Sequence, residues 1–468
     1  MTGFSSLNTA VSGLAAAQRA MDIVGQNVVN ANTPGYSRQR VNLSSAGTAT
    51  NATFHTGNGA SYGGVNVDNV TRIRDAFLES SRAAAGSRLE ALKAQSATLS
   101  GAEGLLSEPG ETGLQTVLDD FYSSWHDLAT RPGDAGAGAV VIQRGIAVSD
   151  QLRFVSEGVS AYWTTAQQDL AQVVNETNAT AKDLAGLNQK IREGLVADKP
   201  ANELMDQRDL LIRRLGELVG GVAVPGPDGM VGVAVGGITL VAGSVAEQFA
   251  LSGALDLSNA GSQPPTLTWS AGGTTVPVES GKAAGLLAVL RTDLPGISTQ
   301  LDGVATSLRD LVNGVHNTGF TLAGAAGGDF FSGTDAKSLG VIPTDPTQLA
   351  VSQTAGRVDG SNALALGDLV DERNATALLG GPGPNERWRD LATGLGVQTQ
   401  SLSRTVTVQE AVVSTADDAN EAIAGVNIDE EMTSMLLFQR AYQASARVIT
   451  TVDEMLDTLI NRTGAVGR

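Results

Sequence analysis

Cysteine is absent from this sequence of 468 residues. Its absence excludes disulfide bonds, thiolate metal sites and cysteine nucleophiles, and it suits a chain threaded unfolded through a narrow channel, since no premature crosslink could block it. Aromatic residues are also scarce, at 4% of the chain, which favours closely packed helices and thin sheets over a deep aromatic-lined ligand pocket. A small-molecule enzyme is therefore not the expected class, and no cofactor is predicted.

Basic charge and long apolar runs are lacking as well. The chain has 31 lysines and arginines against 49 acidic residues, a net charge of -18, which disfavours phosphate backbones and anionic lipid surfaces. No segment approaches the roughly 18 to 20 consecutive apolar residues that a bilayer span needs. The N-terminus lacks the basic flank and apolar core of a cleaved signal peptide. We therefore expect no nucleic-acid partner, no membrane partner and no cleaved export signal.

Metal-binding and phosphate-binding patterns are missing too. The three histidines, His55, His126 and His316, are too far apart in sequence for a helical ligand pair, and no H-E-x-x-H motif occurs. We expect His126 and His316 at the surface or boundary of helices. The glycine-rich segment 324–338 lacks the G-K-[ST] ending of a phosphate loop. No catalytic, metal or nucleotide site is predicted.

The N-terminal residues carry an apolar seam at alternating spacings of three and four, a coiled-coil pattern. The seam consists of Leu7, Ala10, Leu14, Ala17, Met21, Val24, Val28 and Ala31. Pro34 disfavours a helical conformation at Thr33, and Gly35 permits a turn. A helix is therefore predicted to end here, with residues 27–39 forming its exit and a loop.

The C-terminal residues carry a second seam with the same spacing. It consists of Met435, Phe438, Tyr442, Ser445, Ile449, Val452, Leu456 and Leu459. Asn427 followed by Glu430 is typical of a capping box, and Asp429 and Glu431 add negative charge to the first helical turn. That position explains these carboxylates without a catalytic or metal-binding role.

Helical periodicity also recurs in the interior of the chain, and one interior segment breaks it. Helical runs are predicted at about 114–128, 142–195, 204–218, 286–315 and 388–423. In the segment 219–281, valines alternate around the turn-forming sequence PGPDG. This pattern predicts a hairpin, followed by strands near 267–269 and 276–278. A few short strands are expected in the turn-rich stretch 324–354.

The chain exceeds the length that one hydrophobic core usually organises, so several domains are expected. We predict a mainly α fold with a β insertion, elongated and multi-domain. Residues 1–60 with 425–468 would form a terminal coiled-coil-like assembly domain. Residues 61–218 with 282–424 would form a mainly helical middle domain with a few strands, and 219–281 a small β-rich outer domain.

The two terminal seams permit two interpretations. Ordering a helix of about 30 residues costs roughly 1–2 kcal/mol per residue in backbone entropy, and eight seam positions at about 1.5–3 kcal/mol each offset about half of that cost. The ends could order only against neighbouring subunits, or they could simply close an intramolecular bundle. Periodicity alone does not decide between the two.

Several segments resemble the flagellar axial family of rod, hook and hook-associated proteins. QNVVNANTPGYSRQRVNL, from Gln26 to Leu43, is similar to the family's N-terminal signature. The segment from Asn427 to Asn461, beginning NIDEEM and ending TVDEMLDTLIN, is similar to its C-terminal signature. The interior stretches 200–219 and 285–320 resemble the hook-associated members more than the hook or rod members.

The resemblance implies a non-enzymatic structural subunit of the bacterial flagellum at the junction between hook and filament. It implies extracellular localisation by type III export, and self-assembly into a ring or helical oligomer. The implied partners are the hook protein, the next hook-associated junction protein and a cytoplasmic export chaperone on the C-terminal helix. The alternatives are a hook or distal rod protein and, from other classes, a flagellum-associated hydrolase or a surface adhesin.

The resemblance and the seams together predict which residues serve assembly. The predicted interface residues are Leu7, Leu14, Met21, Val28, Met435, Phe438, Tyr442, Ile449, Val452, Leu456 and Leu459. Pro34, Gly35 and Tyr36 are predicted to form the joint between the terminal domain and the rest of the chain.

Overall fold

The computed structural model describes residues 2–46, 63–108, 110, 113–197 and 199–458. Long helices dominate these residues, and several small sheets are attached to them. The helices are α1 Thr2–Val29, α2 Ala76–Leu106, α3 Leu114–Thr130, α4 Ala135–Val196, α5 Asn202–Val219, α6 Gly281–Ala288, α7 Leu294–His316, α8 Ser361–Gly367, α9 Glu372–Leu379, α10 Pro384–Ala424 and α11 Ile428–Asp457. The mainly α, elongated, multi-domain fold predicted from the sequence is therefore confirmed.

The strands form short antiparallel sheets. They are β1 Gln39–Ala46, β2 Gly64–Arg72, β3 Val222–Pro225, β4 Val231–Val235, β5 Ile238–Ala242, β6 Val245–Ala246, β7 Phe249–Ser252, β8 Thr266–Trp269, β9 Phe320–Thr321, β10 Phe331–Ser332, β11 Gly340–Val341 and β12 Ala350–Ser352. β1 pairs with β2, β3 to β6 form a four-stranded meander, and β7–β8, β9–β12 and β10–β11 are two-stranded pairs.

The helix α4 organises the body of the molecule. It is 62 residues long, and its N-cap Asp134 accepts a hydrogen bond from the backbone N–H of Gly136 at 2.8 Å, which satisfies one of the free N–H groups at the helix start. One stripe of α4 is buried from Val141 to Ile191. The helices α3 and α5 and the α6–α7 segment lie against it, so the body has a continuous apolar core.

Aromatic residues concentrate where α3 meets the β10–β11 region. The ring centroids of Phe121 and Phe330 are 5.6 Å apart, and those of Phe330 and Phe331 are 4.8 Å apart in an edge-to-face arrangement, which is favourable for aromatic pairs. Trp125 joins this cluster and is fully buried. These clustered aromatic residues thus fill a structural core.

The β insertion has the predicted hairpin at its start. In the β3–β4 pair, Pro225 lies opposite Val231, and Asp228 and Gly229 adopt positive φ angles in the turn. The later strand β8 also agrees with prediction. The prediction of a strand near 276–278 was wrong, because these residues form no strand: Thr275 makes only an isolated bridge to Thr268.

Several elements were not predicted, among them the helices α2, α8 and α9 and the β1–β2 hairpin. The helix α2 was missed, although it packs along α10 and is held to it by ion pairs between Arg82 and Asp417 and between Lys93 and Glu410. The β1–β2 hairpin was missed as well, and it packs against α1. The helix α1, the β1–β2 hairpin and α11 therefore form one unit, which we call the terminal module.

Candidate assembly site

The two terminal helices lie antiparallel along each other. A Cβ atom on Gly13 would be 3.2 Å from the Ser445 Oγ, and the Asn27 Nδ2 donates to the Glu431 Oε2 at 2.9 Å. The two contacts are fourteen residues apart on each helix, in opposite chain directions. Fourteen residues are two heptads, so the pair keeps one register over four helical turns.

The stripe of α1 that contains these two contacts is made mainly of small residues. It consists of Ala10, Gly13, Ala17, Ala20, Val24 and Asn27, at spacings of three and four. All of them except the half-buried Gly13 are buried. Since the distance between packed helices depends on the side chains at the contact, these small residues allow the axes of α1 and α11 to approach closely.

The predicted α1 interface residues lie beside this stripe. Leu7, Leu14, Met21 and Val28 are each half-buried and seven residues apart. They form one edge of the contact between the helices. The structure therefore leaves part of each of these side chains free to meet another surface.

The predicted α11 residues lie on the covered side of that helix. Val452 is buried, and Met435, Phe438, Tyr442, Ile449 and Leu456 are half-buried. Leu459 lies outside the described residues. The predicted seam thus coincides with the side of α11 that faces α1.

A second apolar stripe on α11 remains uncovered, and the sequence reasoning missed it. It consists of Leu437, Ala441, Ala444, Val448 and Met455. All five residues are exposed, with Leu437 64% and Met455 55% accessible. Each precedes a residue of the predicted seam by one position, so the stripe lies about 100° around the helix from that seam.

Further large apolar residues lie near the start of α11, on another side of the helix from this stripe. Ile428, Met432 and Leu436, four residues apart, are also exposed. A surface of this kind on one helix marks an interaction site more often than chance exposure. The signal was readable from the sequence, because the apolar spacing of α11 fits two adjacent registers and not one.

The other covered side of α1 faces the β1–β2 hairpin. The Ser12 Oγ accepts a hydrogen bond from the backbone N–H of Val65 at 3.2 Å. Ala16 and Ile23, which lie on the same side of α1 as Ser12, are both buried. The hairpin thus covers the part of α1 that α11 does not reach.

The predicted joint residues connect this module to α5. Gly35 has a φ of +80°, and a Cβ atom on it would lie 2.5 Å from the Leu210 Cγ, so no larger residue fits. The Tyr36 hydroxyl donates to the Asn27 Oδ1 at 2.8 Å. Burial, with Asp206 and Glu431 nearby, raises the pKa of Tyr36 to about 12. Pro34 is exposed.

The histidines are not part of this site. His316 ends α7, as expected for a boundary residue, and it is buried, with its Nε2 accepting from the backbone N–H of Ala350 at 3.0 Å. His126 is partly exposed within α3, and His55 lies outside the described residues. Among those described, no group of three or more histidine or acidic side chains is arranged to hold a metal ion.

None of the described helices is both long enough and apolar enough to cross a membrane.

Three family models match the chain. The N-terminal residues 7–36 match the model described as flagella basal body rod protein, and residues 420–462 match the flagellar basal body rod FlgEFG protein C-terminal model. These two matches fit any member of the axial family. Residues 99–331 match the flagellar hook-associated protein FlgK helical domain.

Relatives of full length agree with the interior match. The flagellar hook-associated protein 1 of Bacillus subtilis is 29% identical, with 99% of both chains covered. That of Escherichia coli is 25% identical, with 98% of this chain and 99% of the relative covered. The chain belongs to the flagellar hook-associated protein 1 family. As a hook-associated protein it is a structural component of the flagellum, and the prediction from the resemblance is confirmed.

A solved structure shows that the fold is shared as well. The flagellar hook junction protein FlgK from Burkholderia pseudomallei superposes with a TM-score of 0.66, covering 74% of this chain and all of that one, at 14% identity. The helical-domain match in the interior favours the hook-associated protein over the alternative of a hook or distal rod protein. The hook-associated relatives are structural flagellar proteins.

Proposed function

We propose that this chain forms the junction between hook and filament and enters it by packing its terminal helices between copies of itself. The observation that supports this proposal best is the uncovered stripe on α11, Leu437, Ala441, Ala444, Val448 and Met455. A helix with two adjacent apolar seams has room for two partners. The helix α1 of the same chain occupies one seam, and a neighbouring subunit supplies the other partner.

The balance of free energies favours folding of α1 and α11 on assembly. Burying a large apolar side chain contributes about 1.5–3 kcal/mol, whereas ordering the backbone costs about 1–2 kcal/mol per residue. The contact between α1 and α11 uses mainly alanine on one side, so it contributes less than a leucine-rich pair would. The exposed Leu437, Val448 and Met455 add their contribution only when a second copy covers them.

The same surface suggests the remaining partners. Head-to-tail contacts between copies build a ring where the rotation closes and a helical array where it does not. The hook protein would lie on one side of this assembly and the next hook-associated junction protein on the other. Before export, an exposed apolar helix face is an aggregation hazard, so a cytoplasmic chaperone on α11 is the expected protection. Extracellular localisation without a cleaved signal and the absence of catalysis belong to the same proposal.

The proposal keeps the domain division predicted from the sequence, although that division separates β2 from its partners β1 and α1. The terminal domain comprises residues 1–60 with 425–468, the middle domain residues 61–218 with 282–424, and the β-rich outer domain residues 219–281. The sheets β3 to β8 lie within the outer segment, and α1 and α11 within the terminal one. The predicted interface and joint residues all lie in the terminal segments.

The double variant Leu437→Ser/Val448→Ser tests the proposal. It removes apolar surface that nothing covers in the single chain, so thermal unfolding of the purified monomer should be unchanged. The variant is expressed in cells that lack the native protein. It should not be incorporated into flagella, and filament protein should appear in the medium. The matched control Gln443→Ser/Thr450→Ser changes two exposed residues on another side of α11 and should support normal filaments. Normal filaments from the first variant would refute the proposal.

A further inference from the structure

Three chain segments meet where the terminal module joins the body. They are the turn after α1, the link from β2 to α2, and the link from α10 to α11. The backbone N–H of Arg38 donates to the Ala424 carbonyl oxygen at 3.0 Å, and the Ile73 N–H donates to the Arg38 carbonyl oxygen at 2.8 Å. The terminal module is connected to the body by two chain links, one from β2 to α2 and one from α10 to α11. The backbone of Arg38 is hydrogen-bonded to both.

Asn27 lies at the centre of this meeting point and is fully hydrogen-bonded. Its Nδ2 donates to the Gln39 carbonyl oxygen and to the Glu431 Oε2, both at 2.9 Å. Its Oδ1 accepts from the Tyr36 hydroxyl at 2.8 Å and from the Gln39 backbone N–H at 3.0 Å. An amide has two donor hydrogens and two acceptor lone pairs, so every one of them is used. Asn27 is 1% exposed, and losing a partner here would leave a buried polar group unpaired.

Glu431 brings α11 into the same cluster. It is 2% exposed, and its Oε1 accepts from the Arg38 Nε at 2.7 Å. A buried carboxylate of this kind is tolerated only while its partners are in place. The preceding residue, Glu430, accepts from the Nη1 of the same arginine at 2.9 Å, but its side chain is 59% exposed. Glu430 and Glu431 therefore make similar contacts with Arg38, but the side chain of Glu430 is exposed and that of Glu431 is buried.

From Asn27 the hydrogen bonds continue into α5. The Gln39 Oε1 accepts from the Asn202 Nδ2 at 3.0 Å. The buried Asp206 accepts from the Ser37 backbone N–H at 3.4 Å and from the Arg72 Nη1 at 2.8 Å. An unbroken polar path thus links α11 to the body.

The path extends as far as the β insertion. Arg72 also donates to the Asp209 Oδ2 at 2.8 Å. Arg208, which is buried, donates to the Asp209 Oδ1 and, at 2.8 Å, to the carbonyl oxygen of Gly229 in the β3–β4 turn. Terminal module, body and outer domain are joined through one side of α5.

We propose that this cluster is a latch that couples the folding of α11 to the orientation of the terminal module on the body. The latch comprises Asn27, Tyr36, Arg38, Gln39, Asn202, Asp206 and Glu431. While α11 is unfolded, Asn27 loses one of its four hydrogen bonds, the one to Glu431, and the Arg38 side chain loses both of its carboxylate partners. A partly satisfied buried network is unstable, so the joint opens. When α11 docks, the network is complete and the joint is fixed.

The latch rests on the proposed function in one respect, that α1 and α11 order on assembly. It adds a consequence for the assembled subunit: the joint is rigid in the flagellum and mobile in the exported chain. A junction subunit with a rigid joint transmits torque from hook to filament without bending between its own domains.

Distance measurements between spin labels test the latch, and the absence of natural cysteines makes labelling specific. The exposed Gln18 on α1 and Lys190 on α4 are replaced by cysteine and labelled, and the labelled chain is diluted with unlabelled copies in isolated flagella. The otherwise unaltered chain and its Glu430→Gln variant should give one narrow distance distribution. The isosteric Glu431→Gln variant should be incorporated but should lose the narrow distribution.

A narrow distribution for Glu431→Gln in flagella would overturn the latch and leave the proposed function intact. A narrow distribution for the unaltered chain as a free monomer would instead contradict ordering on assembly, and the comparison of Glu430→Gln with Glu431→Gln in the monomer would then test the latch alone. If Glu431→Gln is not incorporated, Tyr36→Phe takes its place, because it removes a single hydrogen bond to Asn27 and no charge. A narrow distribution for Tyr36→Phe in flagella would then overturn the latch, and loss of the narrow distribution would support it.

Discussion

The body and the terminal module bury their apolar residues very differently. In the body, α4 alone contributes a stripe of inaccessible side chains that includes Leu152 and Trp163. In the terminal module, the buried residues of α1 are mainly alanines, and α11 buries Val452 while leaving Leu437 exposed. A region that completes its own core folds alone, whereas a region that leaves an apolar stripe in water depends on a partner.

A leucine-to-alanine substitution, made once in each region, should give the largest difference in the stability of the monomer. Leu152→Ala removes a fully buried side chain and should destabilise the monomer by about 2–5 kcal/mol. Leu437→Ala changes an exposed residue and should alter the monomer by no more than about 0.5 kcal/mol. Denaturant unfolding of both variants measures the difference. Equal losses would mean that the monomer already covers the second stripe of α11.

A smaller effect is expected on the pH dependence of stability, and it arises in the body of the molecule. Burial lowers the pKa of His316 below its usual value, and its Nε2 accepts a hydrogen bond that a protonated ring could not accept. The unfolded chain therefore binds a proton at higher pH than the folded one. The free energy of unfolding should be constant above about pH 6.5 and should fall as the pH falls from there through the folded-state pKa.

Unfolding of the His316→Gln variant between about pH 7 and 5.5 checks this assignment. The variant should lose that slope, whereas the control His126→Gln, at a partly exposed position, should keep it. An unchanged slope in His316→Gln would show that another group is responsible.

The long helices of the body were predictable because their apolar residues are large and periodic. The predicted runs correspond to α3, α4, α5, α6–α7 and α10. The helix α2 was missed because its apolar positions are mostly alanine, interspersed with serine, so the periodicity is weak. The hairpin was missed because β1 and β2 are separated by a long segment and carry polar residues such as Asn42 and Asn69.

The register of the terminal pair and its joint could be predicted only in part. The larger seam residues, such as Leu14 and Met21, were predicted as the α1 interface. The buried residues include the smaller Ala17, which belongs to the predicted seam but was not chosen, and Ala20, which lies outside the seam. Periodicity ranks residues by apolarity, but the closest helix contact selects small side chains. The bond between Asn27 and Glu431 joins residues 404 positions apart, and no local pattern indicates such a partner.

Hydrogen exchange on the free, dilute monomer and on isolated flagella shows whether the terminal helices fold only on assembly. We expect amides of α1 and α11, residues 2–29 and 428–457, to exchange rapidly in the monomer and slowly in flagella, while those of α4 are protected in both. If α1 and α11 were as protected as α4 in the lone monomer, the terminal helices would not need neighbouring copies to fold, and the proposed assembly mechanism would be wrong.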